Sequence, residues 1–278
     1  MNVGIIGTGN MGTIITESFI ESTAVPPSNL YLTNRTRSKA EELKDIYPDV
    51  SIEKCAEDVV AKTDLIFICI KPLDIHPLLS KLSPLLKPEQ CIVSITSPLS
   101  VNQLEQMVNC NVARAIPSIT NRALSGVSLL TFGENCSNDY QTYLSELFQK
   151  ISLPVLIEDK VTRVASDIVS CGPAFFSFLL QRFIDSAVQE TEISPEQATE
   201  LASGMIIGMG KLLEKGVFTL PTLQDKVCVK GGVTGEGIKV LEAEIGQMFN
   251  HLFQATHEKY YEDIREVNEQ FEYSKDHK

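Results

Sequence analysis

Residues 2–12, NVGIIGTGNMG, set a short apolar run directly before Gly7, Gly9 and Gly12. The order is strand, glycine turn, helix start. Gly7 allows the tight turn, Gly9 lets the backbone approach a pyrophosphate, and Gly12 lets the helix pack closely on the strand. A helix start at Thr8, Asn10 and Met11 offers unpaired N–H groups and partial positive charge to phosphate, so the spacing predicts a dinucleotide site. The next apolar run, residues 30–33, ends in Asn34, Arg35, Thr36 and Arg37, where such a unit meets the adenosine ribose. No carboxylate stands there to accept a 2′-hydroxyl. Arginine's fork of donors suits a 2′-phosphate, with Asn34 and Thr36 in support, so the expected cofactor is NADP(H) rather than NAD(H).

Little else in the chain carries acid–base or metal chemistry. Of the histidines at 76, 251, 257 and 277, only His76 is expected in a loop that ends a strand, and there is no nucleophile elbow and no ligand cluster. No metal is expected. Two glycine-bearing segments read as helix starts able to hold an anion: SCGPA at residues 170–174 and KGGVTGEG at 230–237. In the second, Gly231 and Gly232 precede an amphipathic run, Thr234 can donate a hydroxyl bond and Lys230 adds a cation. It is a candidate carboxylate site.

These residues need a scaffold. Apolar runs NVGII, LYLTN, LIFICI, CIVSI, NVARAI, VSLLTF and PVLIE alternate with amphipathic stretches as far as residue 158, which predicts a parallel, doubly wound α/β sheet. The LIFICI run should be covered on both faces and stop at Lys71-Pro72, with its following loop facing the cofactor crevice. From residue 159 the pattern turns helical, so residues 1–158 are expected to form the cofactor domain and 159–278 a helical domain. Pro173 opens an apolar run, AFFSFLLQRFIDSAV, expected to be buried. A further helix starts at Ser194-Pro195-Glu196 and carries Gly204, Gly208 and Gly210, small residues suited to a dimer core. The charged, proline-free end after Glu266 reads as a frayed helical tail.

The chain of 278 residues is acidic, with 24 Lys plus Arg against 36 Asp plus Glu and a net charge of −12, which disfavours nucleic acid and anionic membranes as partners. Seven cysteines without paired spacing read as reduced thiols. The sequence opens on a strand rather than a charged leader, and no apolar run was expected to reach membrane-spanning length; cytoplasmic residence is the expectation.

Taken together, GTGNMG, NRT, IKP, SCGPAFF and KGGVTGEGIKVLE resemble the pyrroline-5-carboxylate reductase family over nearly the whole chain. The resemblance implies an N-terminal Rossmann domain, a helical domain that interlocks in a homodimer or larger homo-oligomer, and hydride transfer from NADPH to the C=N bond of a small cyclic imine, giving proline. It matches Gly7, Thr8, Gly9, Asn10, Met11, Gly12, Asn34, Arg35, Thr36, Ile70, Lys71, Pro72 and Pro117 to cofactor contacts. It matches Cys171, Gly172, Gly231, Gly232, Val233 and Thr234 to substrate contacts, and marks Lys71 and Thr234 as the candidate catalytic residues. A protonated imine accepts hydride without a strong protein acid, so positioning can supply most of the catalysis.

Three segments depart from the family pattern. Its Pro-Asn-Thr-Pro reads Pro117, Ser118, Ile119, Thr120; its Ser-Gly-Ser-Gly-Pro-Ala reads Val169, Ser170, Cys171, Gly172, Pro173, Ala174; and Val229-Lys230 and Val233 replace residues around the paired glycines. Intact cofactor residues beside altered substrate loops also suit a second reading, an NADP-binding paralogue of little or no turnover that regulates competence or development through protein partners. A hydroxyacid dehydrogenase would need a lysine early in the first long helix, where Arg163 and Asp167 stand.

Overall fold

The computed structural model describes residues 1–273. Eight strands form one sheet: β1 (Val3–Ile6), β2 (Leu30–Thr33), β3 (Ser51–Ile52), β4 (Leu65–Ile68), β5 (Cys91–Ser94), β6 (Asn111–Ile116), β7 (Val127–Phe132) and β8 (Leu153–Leu156). Their order is β3-β2-β1-β4-β5-β6-β7-β8, so strand order reverses between β1 and β4. β1 to β6 are all parallel. The sequence implied a wholly parallel sheet, and the structure corrects this at β7, which runs antiparallel to β6 and carries β8 parallel to itself. The β6–β7 connection holds only a short 3₁₀ turn, Ile119–Ala123, too little chain for a parallel crossover. β3 went unread because two residues cannot show an alternating pattern.

β1 and β4 are buried along their length, as strands covered on both faces must be. On one face Phe19, Phe67 and Phe148 pack with ring centroids 5.5–6.1 Å apart. On the other, Ile66, Ile68, Leu79, Ile92 and Leu104 form a second layer. Val267 of the last helix, Met248–Tyr273, is 1% exposed in that layer, and Gln103 Nε2 donates to Asn268 Oδ1 at 2.8 Å. The tail is helix as far as Tyr273, as expected, but at Val267 and Asn268 it packs rather than frays. His277 lies outside the described residues.

Residues divide into two compact units, Met1–Pro173 with the segment from Ala255 on, and Ala174–Gln254. The units part at a different point from the change of secondary structure at residues 158/159, because the first helical turns and the last helix pack with the sheet. The second unit has a small core of Ile184, Ala198 and Ala202. Its helix Pro195–Glu214 starts at a capping box in which Ser194 accepts from Gln197 N–H and the Gln197 side chain accepts from Ser194 N–H. The apolar run after Pro173 is not buried within the chain: Phe176, Phe178 and Phe183 are each about 60% exposed, with Leu201, Ile207 and Val240 exposed too. A Cβ at Gly204, Gly208 or Gly210 would meet nothing within 4 Å. That much bare apolar surface is a cost in water unless another surface covers it.

The helical stretch Asp159–Glu190 is continuous over 32 residues, and its most apolar 18-residue window has a mean hydropathy of 1.3. Length and composition alone would let it cross a membrane, which corrects the expectation that no run reaches that size. All seven cysteines are free; burial pushes the Cys110 thiol up to about 11 and raises that of Cys69 further, so neither is a nucleophile.

Candidate functional site

Because β1, β2, β4, β5 and β6 are parallel, the loops that follow them gather at one edge of the sheet. The point where strand order reverses opens a crevice there. Gly7 follows β1 with φ +101°, and its N–H donates to Thr33 O at 2.8 Å. A Cβ on Gly7 would run into the Cys69 carbonyl, and one on Gly12 into the carbonyl of Gly7, so both glycines serve the protein's own packing. Gly9 differs. Apart from its chain neighbours, nothing lies within 4 Å of its Cβ position, and the space it leaves fronts the helix Asn10–Glu21.

That helix has no side-chain cap and no acidic residue in its first turn. Its orphan N–H groups and positive dipole end are left for an anion. Thr8 is 3% exposed and its Oγ1 has no hydrogen-bond partner. An uncapped helix end, an open glycine and an orphaned hydroxyl together fit a pyrophosphate.

Asn34 ties this loop to the next one. Its Oδ1 accepts from Thr8 N–H at 3.1 Å and its Nδ2 donates to Thr36 O at 2.9 Å. Asn34 is thus a brace, a role its position in the sequence did not reveal. Thr36 caps the helix Arg37–Ile46 without a side-chain bond. Arg35 is exposed and pairs with nothing among the described residues, whereas Arg37 pairs with Glu41 at 2.7 Å on the helix surface. Arg35 therefore keeps its guanidinium in solvent beside the loop that follows β2.

The strand β4 ends at Ile68, two residues before the expected Ile70, and the turn of Cys69, Ile70 and Lys71 passes beside Gly7. Lys71 is exposed at the N-terminus of the helix Pro72–Leu82, with Pro72 in its first turn, where a missing N–H costs nothing. His76 lies inside this helix and not in the loop. Pro117 and Ser118 leave β6 at the same edge, both buried.

The SCGPA segment is not a helix start. The chain is helical from Thr162 through Glu190 by way of one π turn, Asp167–Cys171, and Pro173 falls just after it. The wider turn absorbs the proline's missing donor, so no row of free N–H groups faces an anion. Cys171 Sγ accepts from Arg163 Nη2 at 3.4 Å, and burial raises its thiol pKa. Asp167, 1% exposed, pairs with Arg163 at 2.8 Å and accepts from Thr256 Oγ1 at 2.8 Å. The Arg163 guanidinium also stacks 5.5 Å over the Tyr260 ring. This pair fills the region where a dehydrogenase lysine was sought.

In the second unit, Gly231 has φ +77° and Gly232 caps the helix Val233–Ile245 with no side-chain bond. Thr234 is half-buried in its first turn, while Val233 is 89% exposed and Lys230 is exposed. Glu236, also in the first turn, is held by Lys239 at 2.7 Å. The Gly232 N–H is taken up by Val229 O at 2.9 Å, so the donors left without an acceptor are those of the first helical turn.

Arg114 was missed although NVARAI shows a charge inside an apolar strand, which is a signal of a buried, paired group. It is 2% exposed. Its Nη2 donates to Asp159 Oδ1 at 2.6 Å, Thr162 Oγ1 at 2.7 Å and Thr131 Oγ1 at 3.2 Å, joining β6, β7 and the first helical turns.

Comparison with known proteins agrees with this arrangement. Residues 159–263 match the model described as pyrroline-5-carboxylate reductase dimerisation, and residues 2–98 match one described as NADP oxidoreductase, coenzyme F420-dependent. ComE operon protein 4 of Bacillus subtilis (strain 168) is 57% identical over 98% of this chain and 99% of its own length. Pyrroline-5-carboxylate reductase 3 of the same organism is 29% identical over 93% and 95%. Among solved structures, the pyrroline carboxylate reductase of Plasmodium falciparum with NADP bound superposes with a TM-score of 0.82 at 20% identity, covering 96% of this chain and 98% of that one. The exposed apolar helices thus fall where the matched model is one of dimerisation, and the glycine edge where it is one of NADP oxidoreductases. On fold, domain content and near full-length sequence identity, the chain belongs to the pyrroline-5-carboxylate reductase family.

Proposed function

We propose that this protein is an NADPH-dependent reductase of a cyclic imine, with pyrroline-5-carboxylate as substrate and proline as product. The observation that carries the reading is the intact edge of the sheet, where an uncapped helix, an open Gly9 and an unpaired Arg35 stand together with no competing carboxylate. NADPH would supply hydride to the carbon of the C=N bond, whose nitrogen enters protonated and leaves as a secondary amine. The N–H groups at residues 9–12 would hold its pyrophosphate, Asn34 would keep that loop in register with the ribose loop, and Arg35 would take the 2′-phosphate. Lys71, Pro72, Ile70 and Pro117 would border the nicotinamide end. Gly231 and Thr234 would hold the substrate carboxylate by N–H and hydroxyl donation, Gly232, whose own N–H is bonded to Val229 O, would shape the turn, and Val233, Cys171 and Gly172 would be further substrate contacts.

A second copy of the chain would cover the apolar helices of the second unit, making a homodimer or larger homo-oligomer. With its thiols unpaired, we place the protein in the cytoplasm. The family relation to ComE operon protein 4 at 57% identity, well above the 29% to a named reductase, favours a second reading: an NADP-binding paralogue of low turnover acting in competence or development.

NADPH oxidation by the purified protein, with pyrroline-5-carboxylate and other cyclic imines, separates the two. Turnover is the expected result; tight NADPH binding with no turnover on any imine would favour the regulatory reading. The cofactor assignment has its own check in titrations of both nicotinamide cofactors. Arg35→Ala should weaken NADPH binding by about 1–3 kcal/mol, the worth of a charge-assisted contact, and leave NADH binding nearly unchanged. An equal loss for both would place the 2′-phosphate elsewhere.

A further inference from the structure

Two hydroxyls join the turn after β6 to the π turn in a reciprocal way. Ser118 Oγ donates to Val169 O at 2.8 Å, and Ser170 Oγ donates to Pro117 O at 2.7 Å. Each serine binds the carbonyl of the residue that precedes the other. The first side of this pair is rigid: Ser118 is 1% exposed, its N–H donates to Asn121 Oδ1 at 2.8 Å, and its Oγ accepts from Thr120 Oγ1 at 3.0 Å. Asn121 is itself fully buried and donates to Ser125 O at 3.0 Å, while Ser128 Oγ donates to its Oδ1 at 3.1 Å. The second side is a π turn, whose extra residue upsets the usual i→i+4 ladder and leaves its carbonyls to outside donors. Ser118 is such a donor.

We infer that Ser118 and Ser170 are paired positioning residues, a two-way lock that fixes Cys171 and Gly172 against the cofactor edge and so selects the ring size of the imine. Resting on the reductase reading above, this adds to it the element that decides specificity. Cys171 and Gly172 follow the locked serine directly along one continuous helix, so they cannot shift without stretching both bonds. A site held by two short bonds to a buried loop discriminates between rings that differ by one methylene, a difference worth at least about tenfold in kcat/KM. These are two of the three segments in which this sequence departs from the family pattern, and these two contact one another.

The test uses the full-length protein with Ser118→Ala, Ser170→Ala, the double change and Ser170→Thr. Amide hydrogen exchange over residues 115–123 and 164–173 is read with NADPH present, together with kcat/KM for a five-membered and a six-membered cyclic imine carboxylate. Each alanine change should speed exchange in the opposite segment as well as its own and move the five-to-six preference by about tenfold. The double change should be no worse than the stronger single one, and Ser170→Thr, which keeps the hydroxyl, should retain the parent preference. Exchange altered only in the mutated segment, or a preference within about twofold of the parent, overturns the lock. If the parent reduces neither imine the reductase reading falls by itself; exchange and the affinity ratio for proline against piperidine-2-carboxylate then decide the lock by the same criteria.

Discussion

Gly9→Ala should fold and melt like the parent protein yet lose most of its affinity for NADPH, whereas Gly12→Ala should damage the fold itself. The contrast follows from what each new methyl group would meet. At Gly9 there is open space on the protein side, so the methyl intrudes only on a ligand lying against the helix N-terminus. Displacing a pyrophosphate from two N–H donors at about 1.5–3 kcal/mol each should cost about 3–6 kcal/mol, more than a hundredfold in Kd. At Gly12 the methyl would overlap the Gly7 carbonyl, and the loop cannot retreat because Cys69 and Ile70 stand behind Gly7. Overpacking of this kind costs about 3 kcal/mol of stability. Isothermal titration with NADPH and urea unfolding, run on both variants, check the pair. Loss of stability in Gly9→Ala, or parent-like NADPH affinity in a folded Gly9→Ala, would remove the pyrophosphate from this loop.

Arg114→Met should lower unfolding free energy by about 2–6 kcal/mol, the cost of leaving two buried acceptors unpaired at about 1–3 kcal/mol each. The guanidinium is buried and donates to Asp159, Thr162, Thr131 and the Ser97 and Leu99 carbonyls. Methionine fills much of the volume but offers no donor, leaving several acceptors in a site with little water. Asp159 is half exposed and can be rehydrated, so the main loss is at the buried Thr162 and Leu99 partners. Urea unfolding gives the number; a change below about 1 kcal/mol would mean that water replaces the guanidinium without penalty.

Some of this was legible before any coordinates. The glycine spacing marked the tight turn after β1 and the uncapped helix behind it because turn geometry acts within a few consecutive residues. Apolar runs located seven of the eight strands, and β3 escaped only for its brevity. The antiparallel β7 was not legible, since strand direction depends on the length of the β6–β7 connection and on which edge is open, not on the composition of the strand. The helix start expected at SCGPA failed for a related reason. Proline and glycine announce a boundary locally, but a π turn can carry the helix through them when another segment supplies the donors.

What the sequence by itself determined was the α/β class, the strand–glycine–helix turn that opens the chain, the helical second half and the family, all properties written in local spacing. The tertiary structure alone decided which groups meet: Asn34 with Thr8, Arg114 with Asp159 and Thr162, Ser118 with Val169 and Ser170 with Pro117. These partners lie 26 to 53 positions apart in the chain. Contacts of that range depend on how the sheet orders its strands, and no local pattern of residue types encodes it.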